Sequence, residues 1–149
     1  MGYCIKQGAD CGNKVVWKAN WDESVGVVAK RDGKPHVVEY SELSEEMAKQ
    51  ADGSGKLVYG AANICNHFYT VDFLGSCDDN MLTYHVAHKK IPYAGSDGKT
   101  VKSNDKNGIK LECFIFDAFP ECKKMAVLEV DRAEEFSPVK NAPGNPVDS

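Results

Sequence analysis

Short apolar runs broken by glycine, proline and acidic punctuation dominate the chain, and few of them are long enough for an extended helix. Residues 14–19 and 25–30 read as β-prone runs, the first following the Gly-Ala-Asp-Cys-Gly stretch of residues 8–12. Asp32-Gly33 supplies the left-handed backbone that a tight hairpin requires, and residues 34–40 return as the partner strand. In that strand Val38 and Tyr40 share one side and Val37 and Glu39 the other, because side chains alternate. Ser44 followed by Glu45 and Glu46 predicts a helix start, and Asp52-Gly53-Ser54-Gly55 ends the helix quickly. Residues 56–60 read as a strand, and 66–74 carry helix-spaced apolar positions, so Gly60-Ala61-Ala62-Asn63 falls at a strand-to-helix junction.

Beyond a polar loop at 76–80, a helical turn is expected over 82–88 and a second hairpin around Ser96-Asp97-Gly98. Residues 108–113 read as a strand. The stretch 114–124 is expected to continue that strand and then turn helical, with Pro120 barring a regular helix interior. Residues 125–130 form a compact apolar strand, and three prolines and a glycine make an irregular tail from Phe136 onward. Strands interleaved with short helices define an α/β or α+β class.

Composition narrows the function classes. The 149 residues, 42% of them hydrophobic, suffice for one ordinary domain with a full core. A net charge of −4 argues against a nucleic-acid surface spread over the molecule, so any phosphate site is local. No apolar run reaches the roughly 18 residues of a membrane span, and an intracellular, cytoplasmic protein without membrane partners is expected. The six cysteines include no Cys-x-x-Cys, and neither Cys65-x-His67 nor His85-x-x-His88 has a second pair at zinc-finger spacing; reduced thiols and no structural zinc are expected. General motifs for nucleophile elbows, Walker loops and dinucleotide binding do not occur. The polar residues that stand out in apolar or glycine-rich contexts are Glu39, Asn63, Lys110 and Lys140.

Six runs in order carry a stronger signal: Gly8-Ala9-Asp10-Cys11-Gly12-Asn13-Lys14-Val15-Val16, Val38-Glu39-Tyr40-Ser41-Glu42, Asn63-Ile64-Cys65-Asn66-His67-Phe68, His88-Lys89-Lys90-Ile91-Pro92-Tyr93, Asn107-Gly108-Ile109-Lys110-Leu111-Glu112, and the stretch from Glu134 to Ala142. Together they resemble the eukaryotic UDP-N-acetylhexosamine (UDP-N-acetylglucosamine) pyrophosphorylases over essentially the whole chain. The resemblance implies part of a Rossmann-like nucleotidyltransferase domain with a mixed sheet and β-hairpins. It also implies the second half of the catalytic domain, on the sugar-phosphate side, with the triphosphate loop Leu-x-Gly-Gly-x-Gly-Thr-Arg-Leu-Gly and a C-terminal domain outside this stretch. On that reading both ends are cut, and little turnover is expected of these residues alone.

The implied reaction joins UTP and N-acetylglucosamine 1-phosphate into UDP-N-acetylglucosamine and pyrophosphate, with Mg²⁺ whose aspartate ligand is not in this chain. By position in the matched runs, Lys140 resembles the lysine that holds the sugar phosphate and Lys110 the one that meets the UTP phosphates. Glu39 with Tyr40 beside it, Asn63 and the backbone at Gly26 correspond to the sugar contacts, and Phe114 and Phe116 to an apolar wall around the N-acetyl group. On alternation alone the two phenylalanines would be core residues. His67, His85 and His88 are expected to be structural or surface groups. A non-catalytic sugar-phosphate-binding module and a UDP-glucose or broad UDP-sugar pyrophosphorylase are the rival readings.

Overall fold

The computed structural model describes residues 1–139 and 143–144 and divides into two compact units, one formed by Met1–Cys77 with the chain from Ala118 onward, the other by Asp78–Asp117. In the first unit a short helix, α1 (Gly2–Gln7), is stopped by Gly8 in the left-handed conformation (φ 62°), whose N–H donates to the Ile5 carbonyl. The strands of this unit are β1 (Cys11–Trp17), β2 (Val27–Arg31), β3 (Lys34–Val38), β4 (Ala61–Tyr69) and one further strand near the end of the chain, Met125–Glu129. They form one mixed sheet in the order β3-β2-β4-β1 followed by Met125–Glu129, which runs parallel to β1 while every other neighbour is antiparallel.

The hairpin at Asp32-Gly33 forms as expected. Both turn residues have positive φ (53° and 79°), the combination a two-residue type I′ turn needs to match the strand twist. Val15, Val16, Val27 and Ala62 are buried where β1, β2 and β4 meet. Beneath α1, Cys4, Ala9 and Ala126 form a smaller cluster with Phe68. Asp10 ties the start of β1 to the strand beside it, its two carboxylate oxygens accepting from the backbone N–H groups of Lys123 and Lys124 at 2.8 and 2.9 Å.

The second helix, α2 (Glu45–Ala48), starts where the sequence predicts, with Ser44 Oγ accepting from the Met47 N–H. Residues 56–60 do not form the expected strand. Asp52 Oδ1 instead draws in the N–H groups of Ser54 and Lys56, curling the chain around Gly53 and Gly55, and only an isolated bridge joins Ala51 to Leu57. The strand begins at Ala61 and runs to Tyr69, so the first four residues of the helix expected over 66–74 belong to β4. Pairing along β1 prevails there over an apolar spacing that suits either period. A helix follows only from Val71 to Ser76 (α3), capped by Thr70.

The second unit holds a two-stranded ribbon of β5 (Tyr84–Lys89) and β8 (Gly108–Cys113), with the small hairpin of β6 (Tyr93–Ala94) and β7 (Thr100–Val101) between them in sequence. The helical turn expected over 82–88 is therefore strand: six residues alternating Tyr84, Val86 and His88 with His85, Ala87 and Lys89 suit a ribbon edge. The hairpin around Ser96-Asp97-Gly98 and the strand 108–113 form as expected. After β8 the chain takes a 3₁₀ form over Ile115–Glu121, with Pro120 inside it. The strand Met125–Glu129 (β9) and a short helix Arg132–Glu135 (α4), capped by Asp131, close the described chain.

Gly60 sits where any side chain would enter the Trp17 indole, over whose ring the Lys56 ammonium lies 3.6 Å from the centroid. Gly60→Ala is expected to displace the indole and destabilise the fold by about 1–3 kcal/mol. Thermal unfolding of the variant checks this, and an unchanged midpoint would contradict it.

Candidate functional site

Register places three of the sequence-predicted residues in one row across the first sheet. Val27 pairs with Val38 on one side and Ala62 on the other, so the position before Val27 puts Gly26 between Glu39 and Asn63. The Asn63 N–H donates to the Gly26 carbonyl at 2.8 Å. Residues opposite one another in such a row share a face. A Cβ built on buried Gly26 would lie 2.9 Å from Glu39 Oε1 and 2.9 Å from Val37 Cγ1. Any side chain here would have to push the Glu39 carboxylate and a Val37 methyl aside, and the bare backbone of the glycine lies between a carboxylate and a carboxamide.

Asn63 is 7% exposed and stands at a break in the β1–β4 ladder. Val15 pairs with Asn63 but Lys14 pairs with Asn66, so Ile64 and Cys65 are two extra residues on β4. Cys65 accordingly adopts φ 57°. The Asn63 side chain secures the bulge: its Oδ1 accepts from the Cys65 N–H at 3.1 Å and from Asn13 Nδ2 at 3.3 Å. Asn13, 2% exposed, in turn meets His67 Nδ1 through its own Oδ1 at 3.0 Å. The His67 ring packs edge-on to Phe119, centroids 5.2 Å apart, and burial holds its pKa below the ordinary histidine value.

Asn13 and His67 are the residues sequence reasoning did not single out as functional. Each lies in a matched run, but the pairing that joins them to Asn63 spans about fifty residues and leaves no local signal. Tyr40 stands 51% exposed just past the end of β3.

The second unit holds Lys110, Phe114 and Phe116. Lys110 projects from β8, opposite Ala87, with its side chain 66% exposed and its Nζ 3.6 Å from Glu112 Oε1; Lys89 Nζ approaches the same oxygen at 3.8 Å. Phe114 and Phe116 stack on each other at 4.8 Å and 12°. Phe116 is buried, as the alternation suggested, while Phe114 is partly exposed and its ring meets that of His85. The His85 Nε2 pairs with Asp117 Oδ2 at 2.8 Å. Lys140 lies outside the described residues. Among the described residues no cluster of three or more His, Cys, Asp or Glu side chains could hold a metal ion, so no ligand set for a divalent cation is assembled.

A cleft of about 470 Å³ opens elsewhere on the first unit, lined by Ile5, Asp10, Phe68, Thr70, Phe73 and Lys123. Phe68 and Thr70 alternate with His67 and Tyr69, placing it on the opposite face from the Asn13–Asn63 row. The carboxylate of Asp10 and the hydroxyl of Thr70 are already engaged in capping backbone, so the cleft offers little chemistry.

This mixed α/β arrangement is shared with nucleotide-sugar pyrophosphorylases of known structure. It superposes on a Trypanosoma brucei uridine diphosphate N-acetylglucosamine pyrophosphorylase, solved with an inhibitor, at a TM-score of 0.75 and 35% identity, over 99% of this chain and 29% of that one. An Entamoeba histolytica structure assigned to the same activity matches at a TM-score of 0.84 and 34% identity, over 99% of this chain and 36% of that one. The chain belongs to the UTP–glucose-1-phosphate uridylyltransferase family, whose model matches residues 1–144. It is 53% identical over 145 residues to the human UDP-N-acetylhexosamine pyrophosphorylase-like protein 1, covering 95% of this chain and 29% of the relative. It is 46% identical over 155 residues to the Saccharomyces cerevisiae UDP-N-acetylglucosamine pyrophosphorylase, covering 100% and 32%. The chain thus spans about three-tenths of the length of these curated relatives.

Because burial depresses the folded-state pKa of His67 below the ordinary histidine value of about 6.5, the unfolded chain binds the proton more readily. The neutral ring's contribution is complete above about pH 6.5 and declines as the pH falls through the folded value. The melting temperature is expected to drop between about pH 7.5 and 5.5, and to drop less in His67→Asn. Parallel melting profiles for the two proteins would contradict this.

Proposed function

We propose that this chain carries the sugar-phosphate side of a uridylyltransferase that converts UTP and N-acetylglucosamine 1-phosphate into UDP-N-acetylglucosamine and pyrophosphate. The observation that carries the reading is the Glu39–Gly26–Asn63 row, in which the Glu39 carboxylate lies against the bare backbone of a glycine and the Asn63 amide stands on its other side. A pyranose ring needs such a surface: Glu39 accepts from ring hydroxyls, Asn63 adds an amide, and the Gly26 backbone lets the sugar approach closely. Tyr40 flanks Glu39, and the apolar wall for the acetyl group is assigned to Phe114 and Phe116 by resemblance alone. The identity of 35% to a solved UDP-N-acetylglucosamine pyrophosphorylase, against 17% to a UDP-glucose phosphorylase from Trypanosoma brucei, supports the N-acetylated substrate over glucose 1-phosphate.

In the transfer, a phosphate oxygen of the sugar 1-phosphate attacks the α-phosphorus of UTP while the bond to the β-phosphate breaks and pyrophosphate leaves. Protein groups lower that barrier by holding two polyanions in line and neutralising charge on the non-bridging oxygens. Lys110 toward the nucleotide phosphates and Lys140 toward the sugar phosphate fill this role as compact point charges. The ion pair of Lys110 with Glu112 is exposed and weak enough to yield to a phosphate. Mg²⁺ belongs to the reading by resemblance; the described residues form no ligand cluster for it, and no step here depends on it. A cytoplasmic setting is proposed as well, and the six free thiols suit a reducing compartment.

In the protein at its natural length, Lys140→Ala is expected to lower turnover on the order of a hundredfold or more without altering the melting temperature. Pyrophosphate release from UTP and N-acetylglucosamine 1-phosphate measures it. Near-normal turnover removes Lys140 from the site, and equal rates with glucose 1-phosphate would overturn the proposed substrate.

A further inference from the structure

One backbone donor sets the polarity of a buried chain of side chains. The Cys65 N–H can only donate, so the Asn63 atom facing it is the carbonyl oxygen. That oxygen also faces an atom of the Asn13 carboxamide, which must therefore be the Nδ2 donor. Turned this way, Asn13 presents its own oxygen to His67, and the His67 Nδ1 at 3.0 Å must carry a hydrogen. Burial keeps the ring neutral, which makes it the Nδ1–H tautomer with an unprotonated Nε2. The chain thus runs in one direction, from His67 Nδ1–H to Asn13 Oδ1 and from Asn13 Nδ2–H to Asn63 Oδ1. At its far end the Asn63 oxygen is doubly occupied, while its Nδ2 meets only the weak acceptor Cys65 Sγ at 3.8 Å among the described residues.

An amide alone can offer a ligand either a donor or an acceptor. We infer that Asn13, hydrogen-bonded to His67 and donating to the same Asn63 oxygen as the Cys65 N–H, is a positioning residue that helps to lock Asn63 as a hydrogen-bond donor, so that the Asn63 end of the row recognises an acceptor oxygen of the sugar while the Glu39 end recognises donor hydroxyls. This inference rests on the sugar-site reading of the Glu39–Gly26–Asn63 row and adds the polarity with which the row reads its ligand. The contribution of Asn13 and His67 is the orientation of another group. Neither is a catalytic residue.

Two measurements on the protein at its natural length test the inference. Heteronuclear NMR of the His67 ring in the wild-type protein should show a protonated Nδ1 and a bare Nε2; the opposite tautomer overturns the chain's polarity. Steady-state kinetics should show that Asn13→Asp, which replaces the donor facing Asn63 with an acceptor, raises the KM for N-acetylglucosamine 1-phosphate by about tenfold or more. The KM for UTP should stay within about twofold. His67→Asn, which keeps a donor near the Nδ1 position, should restore near-normal KM where His67→Ala does not. A purely structural role predicts instead that both KM values and the melting temperature move together and that His67→Asn and His67→Ala behave alike; that result overturns the inference. Asn63→Ala separates the two levels: an unchanged sugar-phosphate KM defeats the site reading itself, whereas a raised KM there with a normal one in Asn13→Asp defeats only the positioning role.

Discussion

The pairing of β1 with β4, interrupted once between Lys14 and Val15, is the constraint on which the rest of the first unit depends. Both strands are interior to the sheet, so a break in their ladder leaves backbone groups that must find partners away from bulk water. Asn63 supplies one of those partners by accepting from the Cys65 N–H, and this makes the bulge and the side chain mutually dependent. From there the consequences spread along the sheet. Asn13 and His67 are drawn into the same polar line on one face, and Gly26 and Glu39 fall into register on the other side of Asn63. A site whose polar groups are held by main-chain geometry in a packed sheet has little freedom to reorganise, which is what preorganised recognition requires.

The second unit follows a different logic. Its ribbon is short and largely exposed, with Tyr84, Val86, Ile109 and Leu111 all open to solvent on one face. The opposite face carries Lys89, Lys110 and Glu112, whose loose ion pairs hold the lysines near one carboxylate at little energetic cost to leave it. On the proposed reading, rigid groups on a packed sheet and adaptable charges on a ribbon suit different ligands: a sugar read hydroxyl by hydroxyl, and a polyphosphate met by point charge.

Much of this was legible in the chain itself, and the exceptions have physical causes. The Asp32-Gly33 hairpin and the Ser44 cap could be read because their information is local, in residues that tolerate positive φ or accept from a nearby N–H. Residues 66–69 and 84–88 are strand where helix is expected because a short apolar run fits either period, and the deciding influence, the partner strand, lies about fifty residues away for the first and over twenty for the second. Residues 56–60 do not form a strand for a local reason, the Asp52 side chain competing for the backbone donors a strand would need. Family resemblance placed Gly26, Glu39 and Asn63 among the site residues, yet only the register shows what crowds the glycine and what turns the asparagine.

The two-residue turn at Asp32-Gly33 lies five residues or more from Glu39, and it governs that residue all the same. Side chains along a strand alternate with a period of two, so the loop length sets the phase of everything that follows it. One residue more in the loop, with the far strand held in place, would exchange the addresses of Val38 and Glu39, carrying the carboxylate into the apolar side of the sheet and the valine out toward Gly26. The turn therefore acts as the reading frame of the site: a parity check at the sheet's edge that decides which of two adjacent residues, one greasy and one charged, is presented.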